Sequence, residues 1–440
     1  MKIFLRIIIA FCCFAFAAEI IARLVVLISA GKTSVDSIEK TKLLVSQNDT
    51  DPIRCKMKIH PYLGALTKEG IKFSENNPNP FYTNRILGIS RIPSYYENLI
   101  VNNHGFWMYQ NLPYIASEKT FVIGIFGGSV AYHFCLSAMD GESRTLKTLK
   151  SLYKSKGYEI VFLNLASGGL KQPQQLLTLA YLLSIGQKFD MVINIDGFNE
   201  AYVSWINQEA YKIDPSMPCG QFIYGIMNAA ILNQLQEKLV SSPYFFILQC
   251  VNKINSKTKS FFLFLVSELA TKKLNKNLTN ISKDLTNQEN HKIDYPIQIV
   301  KTKKTFWESG DDIVGTWASA SVSMDSLCKR NNIPYIHVMQ PNQYFPSAKK
   351  FTDKEIKEYN VLGAAEVPLQ KIVPFIYSKM KKESKNLIDR GVCFIDGTQA
   401  FDEKQETVYI DWACHFNENG NVGLSLFIED GMQKRGIIKK

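Results

Sequence analysis

Histidine is scarce in this chain: six in 440 residues. Any chemistry that needs an imidazole therefore has few candidates. The nine cysteines form no CxxC pair and show no metal-ligand spacing, which argues against a zinc site and does not indicate a disulfide framework in so large a domain. Cys393 sits in a strand-like run and reads as a small core residue. Cys414 lies beside a histidine, where a packing role and a site role are both open. The pattern of a phosphate-binding loop is also missing. The one glycine-rich corner, Gly127-Gly128-Ser129, has no following lysine of that kind, which weakens a nucleotide-binding reading. Net charge is +11, yet no nucleic-acid motif accompanies it.

Long apolar runs are confined to the N-terminus. Lys2 and Arg6 precede an apolar run over 7–18, long enough for a signal-peptide core but short for a membrane span. Ala15-Phe16-Ala17 offers a small-residue cleavage pattern. Apolar sequence resumes over 24–28, after Glu19 and Arg23. Those two charges are a helical turn apart and can pair. A signal anchor over 1–30 is favoured over a cleaved signal, with the basic residues inside and the body of the protein outside the cytoplasm. Many of the other basic residues fall between Asn252 and Lys304. They read either as a patch for anionic polymers or lipid headgroups or as a solvated insertion of biased composition.

What is present is a globular composition, 46% apolar, with an alternating pattern from residue 121 onward. Apolar runs at 121–126, 159–165, 189–195, 335–339 and 392–395 predict strands. Helical periodicity fills 142–156, the stretch from Pro173 to Gly186, 316–329, most of 355–381 and the stretch after Gly420. Strands apolar on both faces and separated by helices predict a parallel sheet covered on both sides. The expected fold class is α/β, a three-layer α/β/α sandwich with a mainly parallel, flavodoxin-like sheet, an N-terminal membrane helix and a helical insertion. Ligands in such sheets bind beyond the carboxyl ends of the strands, which directs attention to the loops there.

Those loops carry reactive groups. The first predicted strand runs into Gly127-Gly128-Ser129. A serine on a sharp corner exposes its hydroxyl and can aim its own N–H at a developing oxyanion. After the second comes Asn164-Leu165-Ala166-Ser167-Gly168-Gly169, whose glycines allow a backbone N–H to approach a ligand. After the third comes Asp196-Gly197-Phe198-Asn199-Glu200, where the Asn199 amide is a donor. Near the C-terminus His415 follows Asp411 in a loop rich in turn residues, a placement suited to a general base with an orienting carboxylate. His133 lies close to Ser129 but is expected to start or flank a helix. His104 and His337 read as loop and strand residues.

In this order the motifs resemble the SGNH (GDSL-like) hydrolase family, in particular its bacterial membrane-anchored members. The segments Val101-Asn102-Asn103-His104-Gly105-Phe106, Lys171-Gln172-Pro173-Gln174-Gln175 and Gln340-Pro341-Asn342-Gln343-Tyr344 add to the likeness, which runs from about Asn102 to the C-terminus. The resemblance implies Ser129 as nucleophile. It implies an oxyanion hole from the N–H groups of Ser129 and Gly169 (or Gly168) and the amide of Asn199. It implies His415 as base, oriented by Asp411. One feature departs from the family, whose aspartate usually stands three residues before the histidine; here it stands four before, and a one-residue bulge is needed to restore the geometry.

The expected organisation is an anchor or signal over 1–30, an extension over 31–100 and a hydrolase domain over 101–440. A lid-like insertion over 201–306 carries Tyr202, Trp205, Tyr211, Phe222 and Tyr224 toward a substrate cleft. The expected function is an extracytoplasmic serine esterase acting on an acyl or acetyl ester of an envelope glycan, a lipid or a small molecule, without a cofactor or metal. Its expected partners are that ester and the membrane, and no nucleic acid. The alternatives are an O-acyltransferase using the same residues and a non-catalytic, membrane-anchored binding or assembly protein that keeps the fold.

Overall fold

The computed structural model describes residues 17–21, 57–72, 99–228, 297–360 and 367–438, with single positions between 230 and 276. Two compact units divide the chain. One comprises Lys56–Ile226 and Gln298–Lys440; the other comprises Met1–Cys55 and Met227–Ile297. All elements named below belong to the first. The start of the expected insertion, 201–226, belongs to this first unit, so the break in the chain's packing falls later than the sequence pattern places it. The apolar N-terminal runs lie almost wholly outside the described residues. Among the described residues no helix is long and apolar enough to cross a membrane.

A small antiparallel hairpin, β1 (Met57–His60) and β2 (Gly64–Thr67), precedes the main sheet. That sheet holds β3 (Thr120–Gly127), β4 (Glu159–Ala166), β5 (Met191–Asp196), β6 (Tyr335–Met339) and β7 (Phe394–Asp396). Their spatial order is β4-β3-β5-β6-β7, and every pairing is parallel. Every residue of β5 and β6 is buried, so neither face can be polar and helices must cover both. The order of the five parallel strands is 2-1-3-4-5, that of flavodoxin-like doubly wound sheets, in which the crevice opens where the first strand lies beside the third. Here that place is the carboxyl end of β3 and β5.

The helices fall into two packing groups. α1 (Ser129–Met139) packs on β4 and on the last helix, α8 (Glu418–Lys434), while α2 (Lys147–Ser155) lies against β4. The second group is α3 (Gln174–Ser184), α4 (Phe198–Trp205), α5 (Gly310–Arg330) and α7 (Leu369–Asp389), with α5 touching the other three. The short α6 (Asp353–Tyr359) stands between β6 and α7 in the chain. α1 is buried from Val130 through Ala138, so it is a core helix with no wet stripe.

Most element boundaries shift by a residue or two from the sequence pattern. Three shift further. Leu146 takes the left-handed conformation (φ 54°), so α2 starts at Lys147 rather than at 142. α5 starts six residues before the pattern predicts, with Asp311 and Asp312 in its first turn and Lys329 and Arg330 in its last, the charge order a helix dipole favours. The helical run over 355–381 is two helices, and the second continues to Asp389.

Candidate active site

The turn after β3 is set by steric demands on two glycines. Gly127 has φ +143°, and a Cβ there would run into the Ile195 carbonyl of β5. Gly128 is the N-cap of α1, and a Cβ there would run into Nδ2 of Asn199. Ser129 is therefore the first residue of a helix rather than part of a loop, a correction to the expected strand-to-loop corner. Its N–H is one of the unpaired donors of a helix start, and the dipole of an eleven-residue helix points there. Ser129 is half-buried between neighbours that are fully buried.

Asn199 reaches this corner from the start of α4. One N–H of its amide donates to the Leu170 carbonyl (2.8 Å), and the same nitrogen lies against Gly128, the residue before Ser129. Leu170 follows Gly169, which has φ +76° in a turn closed by Leu170 N donating to Ser167 O (3.2 Å). Glu200 joins the two loops. Its carboxylate accepts from Gln172 N (3.0 Å) and from Gly197 N (2.9 Å). Burial pushes this carboxyl well up, with Asp196 adding to the effect, and burial pushes the nearby Lys171 ammonium down. Lys171 donates to the carbonyl of Pro215 and to that of Gln172 (3.3 Å), tying in a third loop. The turn after β3, the turn after β4 and the start of α4 thus meet at one place on the sheet's carboxyl edge.

The histidine loop is built as a tight excursion. Tyr409 and Phe416 form an antiparallel bridge, and Ile410 N donates to His415 O (3.0 Å). Cys414 takes φ +62°. That left-handed residue absorbs the extra position between aspartate and histidine. As a result Asp411 Oδ2 lies 2.6 Å from His415 Nδ1, while Oδ1 accepts from Ala413 N (2.9 Å) and His415 N (3.2 Å). A carboxylate can only accept, so Nδ1 carries the proton, and in the neutral ring Nε2 keeps its lone pair. Burial works to raise the Asp411 carboxyl, but the His415 charge and these hydrogen bonds together hold it below the ordinary value.

Neighbouring loops hold this excursion from behind. Gln343 donates to Asp411 O (2.9 Å) and Tyr344 to Trp412 O (2.8 Å). Buried Glu355 accepts from Val408 N (2.9 Å) and Tyr409 N (3.1 Å) and pairs with buried Lys349 (3.1 Å). The Cys414 thiol is buried, which raises its pKa well above the usual range, and it points at Asn342 Oδ1 (3.3 Å). Its place is in the packing of the loop.

Of the five expected site residues, Asp411 and His415 are directly bonded, and Asn199 stands against the residues next to Ser129 and Gly169. The link between the two halves is His133, one turn after Ser129 on α1, whose ring centroid is 4.8 Å from that of His415. His415 Nε2 is buried without a hydrogen-bond partner among the described residues. It is thus not bonded to the Ser129 hydroxyl in this state. Trp412, next to Asp411, and Tyr202, both half-buried, are in contact (5.4 Å between rings), and Phe222 lies against Gly169.

His337 belongs to a different arrangement. It bonds Asp196 (2.9 Å) and Ser321 (2.7 Å), and Trp317 also donates to Asp196 (2.8 Å). These groups are sealed in the core and brace the end of β5, from which the Asn199 turn departs. Among the described residues no group of three or more His, Cys, Asp or Glu side chains could hold a metal ion.

No protein-family model matches the chain, and no curated protein matches it. Among solved structures it is similar to a crystal structure described as a "putative acylhydrolase" from Bacteroides fragilis. The identity is 13%, the TM-score is 0.28, and the match covers 73% of this chain and 89% of the other. A likeness at that level carries no argument about activity, so the functional reading rests on the chain's own site.

Proposed function

We propose that the chain is a serine hydrolase of the SGNH type that cleaves esters through an acyl-enzyme on Ser129. One observation carries the reading: His415, buried and paired with the half-buried Asp411, presents an unpartnered Nε2 beside the helix that Ser129 begins. In the reaction Ser129 Oγ attacks the ester carbonyl carbon while His415 Nε2 takes the hydroxyl proton. The Ser129 and Gly169 N–H groups and the Asn199 amide receive the charge that forms on the carbonyl oxygen. Collapse breaks the bond to the alcohol, which leaves with the proton from Nε2. Water then repeats the sequence on the acyl-enzyme, and an alcohol in its place makes the same residues an O-acyltransferase. Asp411 keeps the imidazole in the correct tautomer and stabilises the imidazolium.

Trp412 and Tyr202 form the aromatic wall of the substrate cleft in this reading. Location outside the cytoplasm, with 1–30 as anchor, is part of the same proposal and is supported by Lys2 and Arg6 ahead of the apolar run. Labelling with a fluorophosphonate, followed by mass spectrometry, tests the mechanism. Modification confined to Ser129 and lost in Ser129→Ala is the expected result. A folded protein that hydrolyses activated esters with Ser129 replaced by Ala would overturn it. A reporter fused after Lys440 that works only in the cytoplasm would overturn the location.

A further inference from the structure

The mechanism above leaves one buried histidine unused. His133 lies four residues after Ser129, so the two share a face of α1. Its ring packs on His415 at 4.8 Å between centroids, with 46° between the planes. Histidine makes up six of 440 residues, and two of the six meet here from opposite ends of the domain. α8 starts three residues after His415 and is fastened to the same helix, through Ser137 donating to Glu418 (2.8 Å). The packing of the two rings is therefore enforced by a contact outside the site.

We propose that His133 is a positioning residue for His415: its ring is the surface that aims the His415 imidazole at Ser129. This rests on the reading of Ser129 and His415 given above. His415 is held at Nδ1 by Asp411, but one hydrogen bond leaves the ring free to swing about that bond. A second ring against its flank restricts this freedom, and that ring stands one turn after Ser129 on the same helix.

The chemistry also requires His133 to stay uncharged while His415 gains its proton. Two imidazolium ions at this separation would repel. The titratable groups that act on His133 are His415 and Asp411, both from the histidine loop; on its own helix the Tyr132 ring touches its edge. Burial lowers the His133 pKa well below the ordinary imidazole value, the His415 charge lowers it further, and Asp411 opposes both. The proton taken from the serine therefore stays on His415, where the leaving alcohol needs it.

The test uses the full chain with His133→Leu and His133→Phe. Leucine removes the planar surface; phenylalanine keeps it without a titratable nitrogen. For His133→Leu the rate of Ser129 modification by a fluorophosphonate, and kcat for a small activated ester, should fall at least about tenfold with KM unchanged. His133→Phe should recover to within about threefold of the starting protein. A folded His133→Leu protein that reacts at the original rate, or a His133→Phe protein no faster than it, overturns the proposal. Nitrogen-15 histidine spectra of the unaltered protein add a check that needs no variant to fold. The His133 ring should stay neutral through the range in which His415 titrates, and a His133 that charges first overturns the proposal. If Ser129 of the unaltered protein takes no label, the functional reading falls, whereas the spectra still report on the pair.

Discussion

Gly128 shows how a single missing side chain can carry chemistry. Asn199 Nδ2 occupies the place its Cβ would take. Gly128→Ala should displace that amide and lower kcat by about 10²–10³, the cost of losing one oxyanion donor. Asn199→Ala should fall by a comparable factor, and the two changes together by little more than either alone, since they remove the same donor. Steady-state kinetics on an activated ester measure all three. Asp411→Asn should cost about 10⁴ in kcat, because an amide stabilises the wrong tautomer of the histidine. At this scale the sequence is informative where chemistry restricts the residue type: Ser129, Asn199, Asp411 and His415 stand out because few side chains can attack, donate or accept as required. It places His133 near Ser129 at the edge of a helix, whereas the residue lies inside α1, and its role depends on a partner near the other end of the chain. Glu200 is visible in a motif but with no clue that it joins two loops.

The histidine loop is an element whose backbone departs from the common pattern and whose surroundings hold it there. The extra residue between Asp411 and His415 is accommodated by the left-handed Cys414. A β-branched side chain tolerates that conformation poorly. Cys414→Val should destabilise the fold by about 1–3 kcal/mol, read as a lower urea midpoint, and should also reduce kcat because His415 is the next residue. Glu355 pairs with Lys349 and accepts two N–H groups from the segment entering the loop. Glu355→Ala leaves a buried ammonium without its partner and should cost about 3–5 kcal/mol. Periodicity made the strands legible, because they are short, apolar and flanked by turns; β6 begins and ends where the sequence pattern places it. Helix starts were less legible. Leu146 turns left-handed and delays α2, a choice made by tertiary packing that no local signal records.

At the scale of the whole molecule, His133 and Asp411 bind protons more weakly than they do in an unfolded chain, whereas Glu200 binds its proton more strongly. His133 is lowered well below 6.5, and Asp411 is lowered below 3.8. Below the ordinary histidine value, unfolding takes up a proton that folded His133 refuses. Its contribution is therefore complete above 6.5 and is lost as pH falls below it; Asp411 adds a further loss below 3.8. Burial raises the Glu200 carboxyl and so works the other way over the same range, and the His133 part is read as a difference: the change in urea midpoint from mild acid to neutral pH should be more positive in the unaltered protein than in His133→Phe. A His133→Phe protein whose midpoint varies with pH in the same way as that of the unaltered protein would contradict the buried, neutral state of His133.

The order of the parts along the chain also has a consequence in time. The corner that holds Ser129 belongs to the first strand of the main sheet, whereas the loop that supplies the base is made after the last strand and leads directly into α8, which docks on α1. During synthesis the serine and its oxyanion donors exist long before anything can draw the proton from the hydroxyl. A ribosome-bound or C-terminally clipped chain would thus hold a complete cradle with an inert alcohol in it, and reactivity would appear in a single step, once the last helix has docked.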